Sequence, residues 1–206
     1  MISLFIDTTT DTLVLGLLKD NKLLQRIDKT IVNQHSIYTL PLLEEILSTN
    51  HIEPKEIDKI FVVNGPGSWT GVRIGVTIAK VWASSMNKKV IPVSSLKAIN
   101  LSNENNICMT IIRANKNTYY VGIYENNNTI IEEYMDIIKL EEYLMKYDNI
   151  STFSKEEIDI ENLVVNKINL NIEKIIDYYD NHDSINPHEL NANYLKKVNV
   201  QEKSNV

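Results

Sequence analysis

Hydrophobic side chains come first in short, nearly unbroken runs. Residues 2–6 and 13–18 are apolar apart from one Ser and one Gly, and 23–32 alternate more loosely. Polar clusters, Asp7-Thr8-Thr9-Thr10-Asp11 and Lys19-Asp20-Asn21, separate them. Short apolar runs bounded by turn formers read as strands, so the chain is expected to open as a three-stranded meander. The period then changes. Leu40, Leu43, Ile46 and Leu47 recur at helical spacing, which predicts a helix over 36–48. Pro41 falls within its first turns, where a missing N–H is tolerated. Pro54 opens a short helical turn. Beyond it the pattern predicts a strand at 60–63, a long helix at 70–86, a strand at 90–93 and a short helix at 95–101.

A similar order of elements follows the polar stretch Ser102-Asn103-Glu104-Asn105-Asn106. Strands are expected at 107–112 and 119–124, with Asn126-Asn127-Asn128 as a hairpin turn and 129–134 pairing back. A helix over 140–147, weaker strands near 150–153 and 163–165, and helical segments near 172–179 and 187–195 complete the pattern. Three strands followed by alternating helix and strand therefore occur twice. Two lobes are expected, 1–102 and 103–206, with 200–206 as a frayed tail.

Glycine is scarce, six in all, yet four of the six lie between Asn64 and Gly75. A strand leads into that segment and a helix leads out. Gly65, Gly67, Ser68, Thr70 and Gly71 form the turn. Such a turn can aim backbone N–H groups at an anion, or let two backbones approach closely where no side chain intervenes. On a helical wheel the following helix carries two apolar stripes. Val72, Val76, Ala79 and Ala83 form one; Ile74, Ile78, Val81 and Trp82 form a second, nearly opposite. A helix on a sheet needs only one such face. The second is expected to be covered by the 36–48 helix, by another protein, or by both. Arg73, in the first turns, opposes the helix dipole at a cost of about 0.3–1 kcal/mol. It is either a surface Arg beside a carboxylate or one held for a partner's carboxylate or phosphate.

Composition narrows the function classes. The chain has 206 residues, 43% hydrophobic and 23% charged, ordinary values for a globular protein. Residues 1–100 carry 11 basic and 9 acidic side chains, and 101–206 carry 10 and 18. An acidic second half argues against unaided binding of a polyanionic nucleic acid. Cys108 is the single cysteine, expected as a buried thiol with neither disulfide nor metal role. No signal peptide or membrane-length apolar run is read, so cytoplasmic residence is the expectation.

The Gly-Pro-Gly-Ser-Trp-Thr-Gly-Val-Arg-Ile-Gly run closely resembles the bacterial TsaB family, also called YeaZ. Ile6-Asp7-Thr8-Thr9, Gln34-His35-Ser36, Ser94-Ser95-Leu96 and Asn193-Tyr194-Leu195-Lys196 are similar to further motifs of that family, in order. Trp69 stands for its usual Phe and Val72 for its usual Leu. Arg113-Ala114-Asn115 inverts its usual Asp-Ala-Arg. The resemblance implies an α/β fold of the actin-like ATPase (ASKHA, ribonuclease H-like) type, two lobes each with a mixed sheet flanked by helices. It implies a noncatalytic part in making N6-threonylcarbamoyladenosine on adenosine 37 of tRNAs that read A-starting codons. The implied partners are the paralogous transferase TsaD and the small ATPase TsaE, with tRNA reached through the complex, a homodimer when alone, and no membrane. Leu40, Leu43, Leu47, Trp69, Arg73, Ile74, Ile78, Val81 and Trp82 are then the candidate partner interface.

Catalytic chemistry finds little support in the residues. No two of His35, His51, His182 and His188 are four apart, so no helical pair presents two imidazoles to a metal. His182 and His188, with Asp180 and Asp183, read as solvated loop. The glycine turn lacks the Lys-Ser/Thr of a phosphate-binding P-loop, and Gly65-Pro66-Gly67-Ser68-Trp69 does not fit a nucleophile elbow. No cofactor or metal is expected. Asp7, Thr8 and Thr9 remain as a residual phosphate or Mg²⁺ site. They sustain the rival reading of an actin-fold phosphotransferase.

Overall fold

The computed structural model describes residues 1–32, 34–147 and 149–195. The expected 200–206 tail and Lys196 lie outside the described residues. The first sheet comprises β1 (Ile2–Asp7), β2 (Thr12–Lys19), β3 (Lys22–Thr30), β4 (Lys59–Gly65) and β5 (Lys89–Ser94), in the order β3-β2-β1-β4-β5. The second comprises β6 (Ile107–Asn115), β7 (Thr118–Glu125), β8 (Asn128–Asp136), β9 (Ser151–Ser154) and β10 (Val165–Lys167), in the order β10-β9-β6-β7-β8. In each, the first three strands are antiparallel, and the last two add in parallel beside the first. The duplicated order read in the sequence is a duplicated topology.

β1, β2 and β4 of the first sheet and β6 and β7 of the second are mostly buried along their length because both faces are covered there, whereas the edge strands β3 and β8 are largely exposed or half-buried. Leu4 and Ile6 of β1 point toward α1 (His35–Thr49) and α2 (Trp69–Met86), while Phe5 points into the space between the sheets. There α3 (Ser95–Leu101) and α5 (Ile172–Tyr179) meet Cys108, Ile112, Tyr120 and Tyr124 of the second sheet. On the far side of that sheet, Met109, Ile111 and Val121 pack against α4 (Ile137–Lys146). Helices and sheets thus alternate in five layers, and α3, buried on all sides, lies in the middle one.

Local chemistry sets the ends of these elements. Ser68 caps α2 by accepting the Gly71 N–H at 3.3 Å, and Asn87 ends it with a left-handed φ of 50°. Asn126 and Asn127 both take positive φ, 47° and 63°, which suits the twist of the β7–β8 hairpin. Two expectations fail. Within 187–195 only Pro187–Glu189 is helical, and residues 190–195 carry no regular secondary structure. Leu190 enters the first-lobe core, and the Asn193 N–H donates to the Asn64 carbonyl at 2.7 Å, so tertiary contacts override local helical preference. The last strand is Val165–Lys167 rather than 163–165, because Leu163 turns back to bridge Ile160.

Candidate functional site

The carboxyl ends of β1, β4 and β9 converge, where ligands bind in parallel sheets. The glycine turn after β4 and the Asp7-Thr8-Thr9 turn after β1 press on each other there. A Cβ at Gly67 would stand 2.4 Å from the Thr9 carbonyl oxygen. One at Gly71 would stand 2.0 Å from the Thr8 carbonyl oxygen, and one at Gly75 2.5 Å from Thr8 Oγ1. Ser68 N–H donates to the Thr9 carbonyl at 2.7 Å, and Thr8 Oγ1 donates to the Gly71 carbonyl at 2.6 Å. Gly65 has a φ of +112°, and a Cβ there would also meet the Asn193 carbonyl. Of the two readings of this turn, close backbone approach is the one the geometry takes. The chain's own threonines occupy the concavity.

Asp7 is held from both sides. Its Oδ1 accepts the Thr9 N–H at 2.8 Å and the Thr9 hydroxyl at 2.7 Å. Its Oδ2 accepts Lys155 Nζ at 2.5 Å, with both side chains buried. Lys155 follows β9, so this ion pair joins the two lobes across their cleft. Glu156 beside it accepts the Asp11 N–H, and burial raises its pKa above the usual glutamate value. The sequence reading missed Lys155. Its signal was the duplicated topology, which brings the end of β9 opposite the end of β1.

The candidate interface residues divide. Leu40 is 59% exposed and Val81 61%, with Ile74 and Ile78 half-buried between them in sequence. Leu43 and Leu47 were expected on this face. They lie instead in the core under α1, exposed by only 2% and 5%, because the helix turns that stripe onto the first sheet. They reach the surface only as the floor of an apolar groove of about 460 Å³ that Leu40 and Trp82 also line. Trp82 is half-buried, its indole N–H donating to the Pro54 carbonyl at 3.3 Å. The first stripe of α2, Val72, Val76, Ala79 and Ala83, is buried on the sheet.

Trp69 and Arg73 stand at the start of α2 with an intrachain partner. Tyr194 stacks on Trp69 at a centroid distance of 4.2 Å and accepts a hydrogen bond from Arg73 Nε at 3.0 Å. The Arg73 guanidinium lies 4.0 Å over the Trp69 ring. No carboxylate pairs with Arg73 among the described residues, so neither sequence reading of it foresaw this contact.

The remaining candidate chemistry disperses. Asp180 pairs with Lys59, and His182 Nδ1 lies 3.0 Å from the Tyr178 carbonyl oxygen. Among the described residues no group of three or more His, Cys, Asp or Glu is placed to hold a metal. Arg113 donates from its guanidinium to the Asp159 carbonyl, at a bulge in β6. Burial pushes the Cys108 thiol pKa up. No described helix is long and apolar enough to cross a membrane.

Two lobes of one topology, meeting at the carboxyl ends of their parallel strands, define an actin-like, two-lobed α/β protein. A family model described as TsaD, tRNA N6-adenosine threonylcarbamoyltransferase, matches residues 28–180. The tRNA threonylcarbamoyladenosine biosynthesis protein TsaB of Bacillus subtilis is 34% identical over 135 residues, 65% of this chain and 59% of that one. Its counterpart in Buchnera aphidicola (subsp. Baizongia pistaciae) is 34% identical over 59% of this chain and 57% of its own length. The matched stretch thus spans less than two thirds of either relative. YeaZ from Pseudomonas aeruginosa superposes with a TM-score of 0.75 at 19% identity, over 94% of this chain and 99% of that one, which establishes the shared fold. The chain belongs to the family this model describes, and within it to the TsaB (YeaZ) group.

Proposed function

We propose that this chain is a noncatalytic subunit in N6-threonylcarbamoyladenosine formation on tRNA, working by pairing with a TsaD-type transferase. The observation that carries the reading is the second apolar stripe of α2. Ile74 and Ile78 are half-buried and Val81 is exposed, the neighbouring α1 carries the exposed Ile37 and Leu40, and the described residues leave this stripe partly open. An exposed apolar face of this kind marks a protein-binding surface. Paralogues of one fold can pack such faces as a pseudo-symmetric pair, so the same surface serves a homodimer when the transferase is absent. The first lobe supplies the face, and the second is a degenerate actin-like lobe. A TsaE-type ATPase joins the pair, and tRNA is bound chiefly by the partner, in keeping with the acidic second half.

The cleft supports the noncatalytic part of this reading. A lysine Nζ occupies the Asp7 carboxylate where an actin-fold enzyme would use an acid to hold Mg²⁺ and phosphate. Co-purification with the cognate transferase and ATPase, followed by a modification assay with and without this chain, tests the proposal. Full modification in its absence contradicts it. Micromolar binding and turnover of Mg-ATP by the chain alone, lost in Asp7→Ala, establishes the phosphotransferase instead.

A further inference from the structure

A cavity of about 170 Å³ lies where the N-termini of α1 and α2 meet, lined by Asp11, His35, Ser36, Ser68, Thr70 and Ile74 among others. His35 is only 6% exposed, and its Nε2 has no hydrogen-bond partner among the described residues. Burying an imidazole nitrogen unpaired is costly unless something that bonds to it completes the site. The two helices are long, 15 and 18 residues, and neither has an acidic side chain in its first turn. Gln34, at the N-cap of α1, makes no capping hydrogen bond through its side chain. Two helix starts without acidic first-turn side chains, α1 lacking a side-chain cap and α2 capped by Ser68 only at the Gly71 N–H, therefore meet at one small space.

Ser36 and Thr70, each with a hydroxyl, are among the residues lining the same space. Ser68 Oγ already accepts the Gly71 N–H, which leaves its own hydrogen free to donate. Against this excess of donors stand one carboxylate, Asp11, and one apolar wall, Ile74. A plain anion would suit the helix ends but not Asp11. A plain cation would suit Asp11 but not the helix ends. A molecule with an oxyanion and a cation a few bonds apart suits both. Pockets for drug-sized ligands begin at about 300 Å³, so this cavity takes a much smaller molecule. The serine, histidine and aspartate do not form a hydrolytic triad, since His35 Nε2 bonds to neither a hydroxyl nor a carboxylate.

We propose that this cavity binds a small α-amino acid as its zwitterion. The carboxylate sits on the amides at the starts of α1 and α2 and accepts from His35 Nε2–H. The ammonium pairs with Asp11, and the side chain rests against Ile74. The site stands on its own observations and does not depend on the partner reading.

The test titrates the full chain, histidine-labelled, with glycine, alanine and serine, and follows the His35 ring by NMR. Acetate and methylammonium serve as the two halves of the ligand, and inorganic phosphate as a plain anion. Each amino acid is expected to shift the His35 resonances saturably at millimolar concentration or below, with each half weaker by about tenfold or more. Asp11 is exposed, so Asp11→Asn leaves the fold intact and should weaken amino-acid binding about tenfold. His35→Gln identifies the resonance and should weaken binding as well. No shift with any amino acid overturns the proposal. Acetate or phosphate binding as tightly as the amino acids, with Asp11→Asn indifferent, overturns it as well by leaving only an anion contact. The titration needs no transferase, so its failure leaves the partner reading untouched, and a failed co-purification leaves this site untouched.

Discussion

Replacing Lys155 by Met keeps the length of the side chain and removes its charge, leaving the Asp7 carboxylate buried without its counter-ion. At the observed 2.5 Å the two charges attract by about 7 kcal/mol for an effective dielectric near 20. Desolvation of both groups consumes much of that, so the intact pair adds little net stability, whereas orphaning one partner of a buried pair costs about 3–5 kcal/mol. Asp7 keeps its two bonds from Thr9, which places Lys155→Met at the lower end, about 3 kcal/mol. For a chain of this size that is a fall in Tm of about 6–12 °C. The double variant Asp7→Asn/Lys155→Met removes both charges and should melt above the single one, with a coupling energy of about 1–3 kcal/mol in the cycle. Calorimetry or thermal melts followed by circular dichroism give both numbers. A fall of less than about 2 °C in Lys155→Met, or strict additivity in the cycle, refutes the idea that this pair clasps the lobes.

Gly71→Ala should destabilise the fold by about 3 kcal/mol or more, since its Cβ would overlap the Thr8 carbonyl; a variant that melts like the parent contradicts the packing described. Arg73→Glu should leave the lone chain folded, because an acid near the start of α2 favours the dipole, yet weaken binding of the transferase in a titration; unchanged affinity removes Arg73 from the interface. Tyr194→Ala should expose Trp69, already 51% exposed, further, shift its fluorescence to the red and cost about 0.5–1.5 kcal/mol, and an unaltered spectrum argues against the stack. Glu156 holds its proton more tightly folded than unfolded, so its share of stability falls as pH rises from the ordinary glutamate range through the raised folded value. Glu156→Gln should flatten that slope in melts across pH, and an unchanged slope contradicts the assignment.

Much of the architecture was legible because periodicity carried it. The two stripes of α2 were separable on a wheel, and the order of elements gave the duplicated topology. Leu43 and Leu47 were misplaced because spacing shows that a helix has an apolar stripe but not whether it faces a sheet or solvent. The helical reading of 187–195 failed because Leu190 enters the first-lobe core and Asn193 bonds to β4, far away in sequence. Lys155 was invisible for a related reason. Nothing near it marks a charged side chain as buried, and its partner lies 148 residues away. The glycine motif was found at once, yet its use was settled only by what stands opposite each missing Cβ.

The last described stretch of the chain has a bearing on how the molecule is made. Leu190 belongs to the core of the first lobe, Asn193 pairs with β4, and Ile172 of α5 fills the space above Gly16. During synthesis the first hundred residues leave the ribosome long before these segments do. The first lobe therefore emerges with the carboxyl end of β4 and its inner face uncovered until residues 172–193 have been made. Through that interval the nascent chain exposes apolar surface, the state in which chaperones are most needed. A truncation anywhere before Leu190 strikes the amino-terminal lobe first, although the missing residues lie at the opposite end of the sequence.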